Sequence, residues 1–441
     1  MQIARRLKYL FIILLVTISA AGQNQSVLID ATEQKMVIDS VSKLLNDNYI
    51  FPDVAQKMHR LLQENLKKGN YKSITSAPGF AEQITKDLQS VSKDKHLNVR
   101  FNPKLIQQQR TNADKNPGEQ PPPEMDNEKM NNYGFKEVKL LEGNIGYLDL
   151  RGFAHTSDAG ETAVAAMNFL SNASALIIDL RNNGGGSPSM IQLLTSYFYG
   201  AEPVHLNNFY DRPGNQTSQT WTLPHVTGKR RPDIDIYVLT SSNTFSAAEE
   251  FTYNLKNLKR ATIIGETTGG GAHPGGTRIA TERFVVWVPT GRAINPITNT
   301  NWEGTGVKPD VETKASDALA IAHIKALETL VAKSKGALKS KYEWELVSLQ
   351  GKKEPVQLDK TTLASYTGEF GEKKIVLEEG QLYFFPFPGT KVKLTPLSNN
   401  LFELADIKHV RLQVLKENNS VTGIVELFDN GSAEKHLRKV M

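Results

Sequence analysis

The chain has 441 residues, of which 22% are charged, a formal net charge of +5 and no cysteine. Without cysteine, neither a disulfide framework nor lipid attachment through a thiol is available, and so modest a charge gives no case for a nucleic-acid partner. The length exceeds what one hydrophobic core usually organises, so two or three units are expected.

At the amino terminus, Arg5, Arg6 and Lys8 precede the apolar run Tyr9 to Ile18, and Ala20-Ala21-Gly22 supply small residues before Gln23. A bilayer span needs about 20 apolar residues, so residues 1–22 read as a secretory signal peptide. A periplasmic or secreted protein with no stable membrane span after cleavage is the expectation. Residues 23–100 read as a helical unit: Val37, Val41, Leu44 and Leu45, then Val54, Met58, Leu61 and Leu62, then Phe80, Ile84, Leu88 and Val91 fall at helical spacing. His96 follows, where the last of these helices gives way to a strand. Residues 101–136 are polar, carry Pro121-Pro122-Pro123 and lack apolar periodicity, and read as a linker.

Over residues 137–335, apolar strands at Ile145 to Leu150, Ala175 to Leu180, Ile234 to Thr240, Ala261 to Ile264 and Arg283 to Val288 alternate with helical patterns. That alternation predicts an α/β core with its functional loops at strand ends. The second strand runs through Arg181 into Asn182-Asn183-Gly184-Gly185-Gly186-Ser187, where glycine lets the backbone turn sharply and aims amides into a cleft. The loop lacks the Gly-Lys-Ser/Thr ending of a nucleotide P-loop and the spacing of a dinucleotide fingerprint, which favours an oxyanion role over a phosphate cradle. The third strand leads through Ser241-Ser242-Asn243 to Thr244-Phe245-Ser246-Ala247-Ala248-Glu249-Glu250-Phe251. This places a hydroxyl in the first turn of a helix, where free N–H groups and the dipole favour a developing negative charge. A simple helix cap is the competing reading for Ser246, and capping also accounts for Glu249 and Glu250.

Glycine-rich segments recur at Gly265 to Gly276, Pro289 to Arg292 and Gly304 to Gly306. Helical periodicity returns from Asp317 to Lys333 and over 336–356, and 357–441 reads as short strands between turns, a small antiparallel β domain. His155, His205 and His323 lack neighbouring ligands and no His-Glu-x-x-His motif occurs, so no metal and no cofactor are expected.

Taken in order, Asp179-Leu180-Arg181 with the triple glycine, Thr244 to Phe251, Gly265 to Gly276 and Gly304 to Asp310 resemble the tail-specific, or C-terminal processing, serine proteases. The nearest branch is that of tricorn protease and interphotoreceptor retinoid-binding protein, and the resemblance covers roughly residues 30 to 335. It implies a ClpP/crotonase-like αβ core and a serine endopeptidase acting on peptides or proteins through an acyl-enzyme. Ser246 would be the nucleophile, the Gly185 and Ala247 amides the oxyanion hole, and Gly184, Gly186 and His273 substrate contacts. The retinoid-binding relative carries a second implication, a non-catalytic carrier of apolar ligands. The C-terminal strands resemble the lipocalin-like appendages of some secreted hydrolases. No segment with the signature of a peptide-binding PDZ domain lies between Arg100 and Glu137.

Members with a Ser-Lys dyad place the lysine where this chain has Gly271, and no lysine occurs between Arg260 and Lys308. The proton acceptor is therefore sought among the histidines. The tricorn-like branch maps its base onto His96 and its orienting glutamate onto Glu303, although that branch has a serine where this chain has Lys95. His273, two residues beyond the missing lysine, is the rival base; His96 is preferred.

Overall fold

The computed structural model describes residues 27–113, 127–418 and 420–439. The expected signal peptide and the triple proline lie outside them. Helices α1 (Ala31–Asn48), α2 (Pro52–Lys68) and α3 (Ala77–Ser92) open the chain. Asp30 caps α1 through the Glu33 N–H and Ser76 caps α3 through the Gly79 N–H. Their apolar faces bury Val37, Val41, Met58, Leu62, Phe80, Ile84 and Leu88 in one core. Strand β1 (Asn98–Phe101) follows, and then α4 (Pro103–Ala113) and α5 (Asn127–Met130). The polar segment thus begins as a helix; the absence of apolar periodicity reflects that Ile106 is its one buried apolar anchor among the described residues of α4.

The core runs β2 (Phe135–Leu141), β3 (Ile145–Leu150), α6 (Thr156–Phe169), β4 (Ala175–Asp179), α7 (Pro188–Ser196), β5 (His205–Asp211), β6 (Gln216–Trp221), β7 (Asp235–Thr240) and α8 (Ala247–Asn257). It continues through β8 (Thr262–Gly265), β9 (Gly275–Ile279), β10 (Phe284–Pro289), β11 (Gly291–Ile294), β12 (Val311–Glu312) and α9 (Ala318–Lys333). Six strands form one sheet in the order β12-β8-β7-β4-β3-β2, parallel except for the β2–β3 pair. Both faces are covered, which is why these strands read as continuous apolar runs. Leu148, Leu150, Leu176, Ile178 and Val238 face α6, α7 and α8. Tyr147, Ile177, Tyr237, Leu239 and Ile264 face Ala322, Ala326 and Leu327 of α9.

Two smaller sheets position the site. The order β1-β10-β9 zips the segment after α3 onto the core, with Val99 opposite Val286, and Phe284, Val286 and Val288 complete the N-terminal core. The order β11-β5-β6 contains a hairpin with no sequence signal, because β6 is polar and mostly exposed. Helix α10 (Gly336–Lys353) packs on α9 and leads through α11 (Lys360–Ser365) to eight consecutive antiparallel strands, β13 (Gly368–Phe370) to β20 (Ala433–Leu437). A bridge from Phe370 to Arg438 and the Lys439 N–H on the Glu369 carbonyl at 2.9 Å close them into a barrel. Phe370, Phe384, Phe402 and Leu412 fill its interior, as expected for eight strands.

Candidate active site

Ser246 stands between β7 and α8 with φ 56° and ψ −121°, a conformation that a residue with a side chain rarely adopts. The sharp strand-to-helix turn lifts the hydroxyl out of the sheet. The turn is held from below: the Phe245 N–H donates to the Asn183 carbonyl (3.0 Å), and the buried Thr244 hydroxyl to the Leu180 carbonyl (2.7 Å). Gly185 abuts it so closely that a Cβ there would lie 2.7 Å from Ser246 Cβ and 3.0 Å from the Ala247 nitrogen.

The two amides expected to form an oxyanion hole differ in their surroundings. Ala247 N–H has no protein acceptor among the described residues, but Gly185 N–H donates to Asn183 Oδ1 at 2.9 Å. Asn183 is fully buried, and its Nδ2 also donates to the Leu150 carbonyl at 2.9 Å, so one side chain ties the glycine loop to the end of β3. Gly186, at φ 141°, presses on Phe153, whose N–H donates to the Gly185 carbonyl at 2.8 Å. Beyond them opens a cavity of about 460 Å³, lined by Gly185, Gly186, Phe153, Ala154, Tyr133 and Arg151 among others. Gly184 has open space above its Cα.

Glu249 does more than cap. Buried in α8, it accepts from the Ser246 N–H (2.9 Å), the Thr268 hydroxyl (2.5 Å), the Gly270 N–H (2.6 Å) and the Gly271 N–H (2.8 Å). Burial raises its pKa and these four donors oppose that rise. The carboxylate thereby fastens the glycine-rich loop after β8 to the serine turn.

His96 enters from the other unit. Its ring packs on Phe245 at 4.6 Å between centroids. At Gly271 a Cβ would stand 2.7 Å from His96 Cε1, so the space a lysine there would claim is already filled by this imidazole. Lys95 reaches across to the Gly269 carbonyl at 2.5 Å, clasping the same loop where the tricorn-like pattern has serine. Burial lowers the pKa of His96, favouring the unprotonated ring, against an opposing pull from Asp94. Its Nδ1 is buried without a hydrogen-bond partner, as is Glu303 Oε1. No hydrogen bond joins His96 to Ser246 in this resting arrangement. Single ligand-type atoms of Asp94, His96 and Glu303 nevertheless lie within 4.8 Å of one another.

Glu303 Oε2 accepts the Ala272 N–H at 2.5 Å, and burial followed by the nearby Asp94 charge raises its pKa to about 7. His273 is buried. Its side chain is 6% exposed, its Nδ1 lies 2.8 Å from Asp94 Oδ2 and 3.5 Å from Glu303 Oε2, and its ring meets Phe51 edge to face. The sequence expects His273 at the substrate; the structure encloses it between Asp94 and Phe51. Asp94, Asn183 and Glu249 escape the sequence reading. The available signals were an acid two residues before the histidine, an amide before the glycines and an acid three residues after the serine.

Residues 144–313 match peptidase family S41, and residues 19–137 match the N-terminal domain of Peptidase_S41 in eukaryotic IRBP. A protein of Staphylococcus aureus described as a "Probable CtpA-like serine protease" is 28% identical over 188 residues, 40% of this chain and 35% of that relative. The chain thus spans about a third of the length of the curated relatives it matches. Among solved structures, mature CPAF aligns at 13% identity with a TM-score of 0.47, covering 69% of this chain and 98% of that one. The photosystem II D1 C-terminal processing protease aligns at 16% identity and a TM-score of 0.40, covering 64% and 94%. The tricorn protease aligns at 16% and 0.39, covering 66% and 35%. The two sequence matches cover the helical unit and the sheet that carries Ser246.

Proposed function

We propose that this protein is an exported serine endopeptidase that hydrolyses peptide bonds through an acyl-enzyme on Ser246. The observation that carries this reading is the serine turn itself: a hydroxyl-bearing residue held at positive φ, beside the unengaged Ala247 N–H and packed against Gly185. His96 takes the Ser246 proton as Oγ attacks the substrate carbonyl, then gives it to the leaving amine as the peptide bond breaks. Water, deprotonated by the same imidazole, then cleaves the ester and restores the serine. Glu303 orients the ring, and the Ala247 N–H stabilises the oxyanion, joined by Gly185 N–H when it is shared between Asn183 Oδ1 and the oxyanion. The 460 Å³ cavity beside Gly185 and Gly186 supplies room for a substrate side chain. Among the described residues no helix is long and apolar enough to cross a membrane, in keeping with an exported protein whose leader is residues 1–22. The carrier reading finds little support: the site offers polar, fixed groups, and the barrel interior is filled by aromatic side chains.

The test compares wild type with Ser246→Ala and His96→Ala in covalent labelling by a fluorophosphonate and hydrolysis of an unstructured peptide library. Both variants are expected to lose at least about 10³-fold in kcat, by no less for the serine than for the histidine. Full hydrolysis by Ser246→Ala would remove the nucleophile assignment.

A further inference from the structure

Asp94 is a fully buried acid next to the site to which the proposed reaction gives no role. It is completely buried, yet it carries no lysine or arginine partner among the described residues. Its oxygens instead accept from the His96 backbone N–H (3.0 Å), the His273 Nδ1 (2.8 Å) and the Tyr49 hydroxyl (3.2 Å). A carboxylate in that position can only accept, so His273 Nδ1 carries the hydrogen. The same Nδ1 lies 3.5 Å from Glu303 Oε2, which places one imidazole N–H between two buried carboxyl groups.

We propose that Asp94 and His273 are positioning residues for catalysis, a buried acid and an imidazole that together hold His96 in place and set the charge balance felt by Glu303. This rests on the peptidase reading above. The backbone of His96 is tied to Asp94 Oδ1, so the ring that packs on Phe245 is anchored two residues upstream. His273 bridges the opposite loop to the same acid, so the two units meet through a buried hydrogen-bonded contact and not through packing alone. Tyr49, at the end of α1, closes the third side.

Electrostatics give the pair a signature. The groups facing Glu303 are Asp94 and His96 from the segment after α3, Tyr49 from the end of α1, His273 from the loop before β9, and Glu249 from α8. Asp94 raises the pKa of both Glu303 and His96, whereas His273 lowers both. Working catalysis needs Glu303 ionised and His96 neutral. Removing the Asp94 charge therefore moves the acid limb of activity to lower pH. Removing His273 leaves the two carboxyl groups facing each other and moves that limb to higher pH.

The experiment measures the pH dependence of fluorophosphonate labelling for full-length wild type, Asp94→Asn, His273→Ala and the isosteric donor variant His273→Gln. In parallel, nitrogen-15 NMR follows the titration midpoint of His96 in each. Asp94→Asn is expected to lower both midpoints by roughly half a unit to one unit and His273→Ala to raise them by a similar amount, with His273→Gln also raising them but by less. Midpoints that stay put, or that move in the same direction in both variants, would overturn the proposal even if rates fall, since a packing defect lowers rate without opposite displacements. Should no protein be labelled at any pH while the His96 midpoints shift as described, the nucleophile reading fails and the positioning pair stands. Should His273→Ala not fold, the opposed behaviour of Asp94→Asn and His273→Gln decides the matter.

Discussion

Gly271 has no room for a side chain, because a Cβ there would stand 2.3 Å from Phe245 Cζ and 2.7 Å from His96 Cε1. Both neighbours are rings wedged beside the serine turn, so the clash cannot be relieved at the flexible end of a chain. Gly271→Ala is expected to displace His96, lowering kcat by about 10²-fold, and to cost about 1–3 kcal/mol of stability through overpacking. Gly200→Ala, where a Cβ meets nothing within 4 Å, serves as the matched control and should leave both unchanged. Steady-state kinetics and thermal melts on the two variants check this, and a fully active Gly271→Ala would show that His96 does not need its present seat. With His96 as the proposed base, the same crowding rationalises the missing lysine, since that ring needs this position bare.

Helix α8 carries two adjacent buried acids with opposite surroundings. Glu249 meets four donors, whereas Glu250 faces Asn207 and Asn254 without completing the bonds, and Glu250 Oε1, Asn207 Nδ2 and Asn254 Nδ2 are all buried without a partner. Burial raises the Glu250 pKa to about 8, well above its ordinary 4.5. The folded protein therefore holds a proton that the unfolded chain releases between these values, and stability falls as pH rises through that window. Below the unfolded pKa both states are protonated and nothing is lost. Glu250→Gln, which cannot ionise, should raise Tm at pH 8 by several degrees and change it little at pH 4.5. Melts across this range test the direction; an equal effect at both ends would mean that Glu250 is not held protonated. Helix α8 thus carries one acid that fastens the serine turn and one that weakens the fold as pH rises from about 4.5 to about 8.

Across the whole molecule, the barrel is joined to the core through α10. Arg411 lies over the Trp344 ring at 3.8 Å and donates to the Trp344 carbonyl and to Ser348 Oγ, while the Trp344 indole donates to the Lys408 carbonyl at 3.0 Å. Burial lowers the pKa of that guanidinium to about 10, the mark of a cation enclosed at an internal junction. Among the described residues, none of the groups around Ser246 comes from the barrel. A chain ending at Pro355 should therefore be labelled by fluorophosphonate within a few-fold of the wild-type rate, with a lower apparent Tm because Trp344 and Ser348 lose their cover. A truncated protein that melts cooperatively but is not labelled would show that the barrel shapes the site.

The elements that sequence alone determined are those whose signal is local. Apolar runs such as Ala175 to Leu180 must be strands buried on both faces, three glycines must follow where the backbone passes within contact of Ser246 and Phe153, and a serine before Ala-Ala-Glu must begin a helix. The amphipathic spacing of α1, α2 and α3 was equally legible, since a helix has to bury one face. Polar elements were not: β6 has no apolar alternation, and its partner β5 was hidden with it. The tertiary structure decided the site's chemistry. His96 and Glu303 come near each other through the pairing of β1 with β10, and Glu249 ties the loop after β8 to the serine turn, neither of which leaves a pattern in the chain. Burial, in turn, makes Asp94 a full hydrogen-bond acceptor, encloses His273, and diverts the Gly185 amide to Asn183. A side chain's type is written in the sequence, but its exposure and its partners, which set its charge and its role, arise only when distant segments pack.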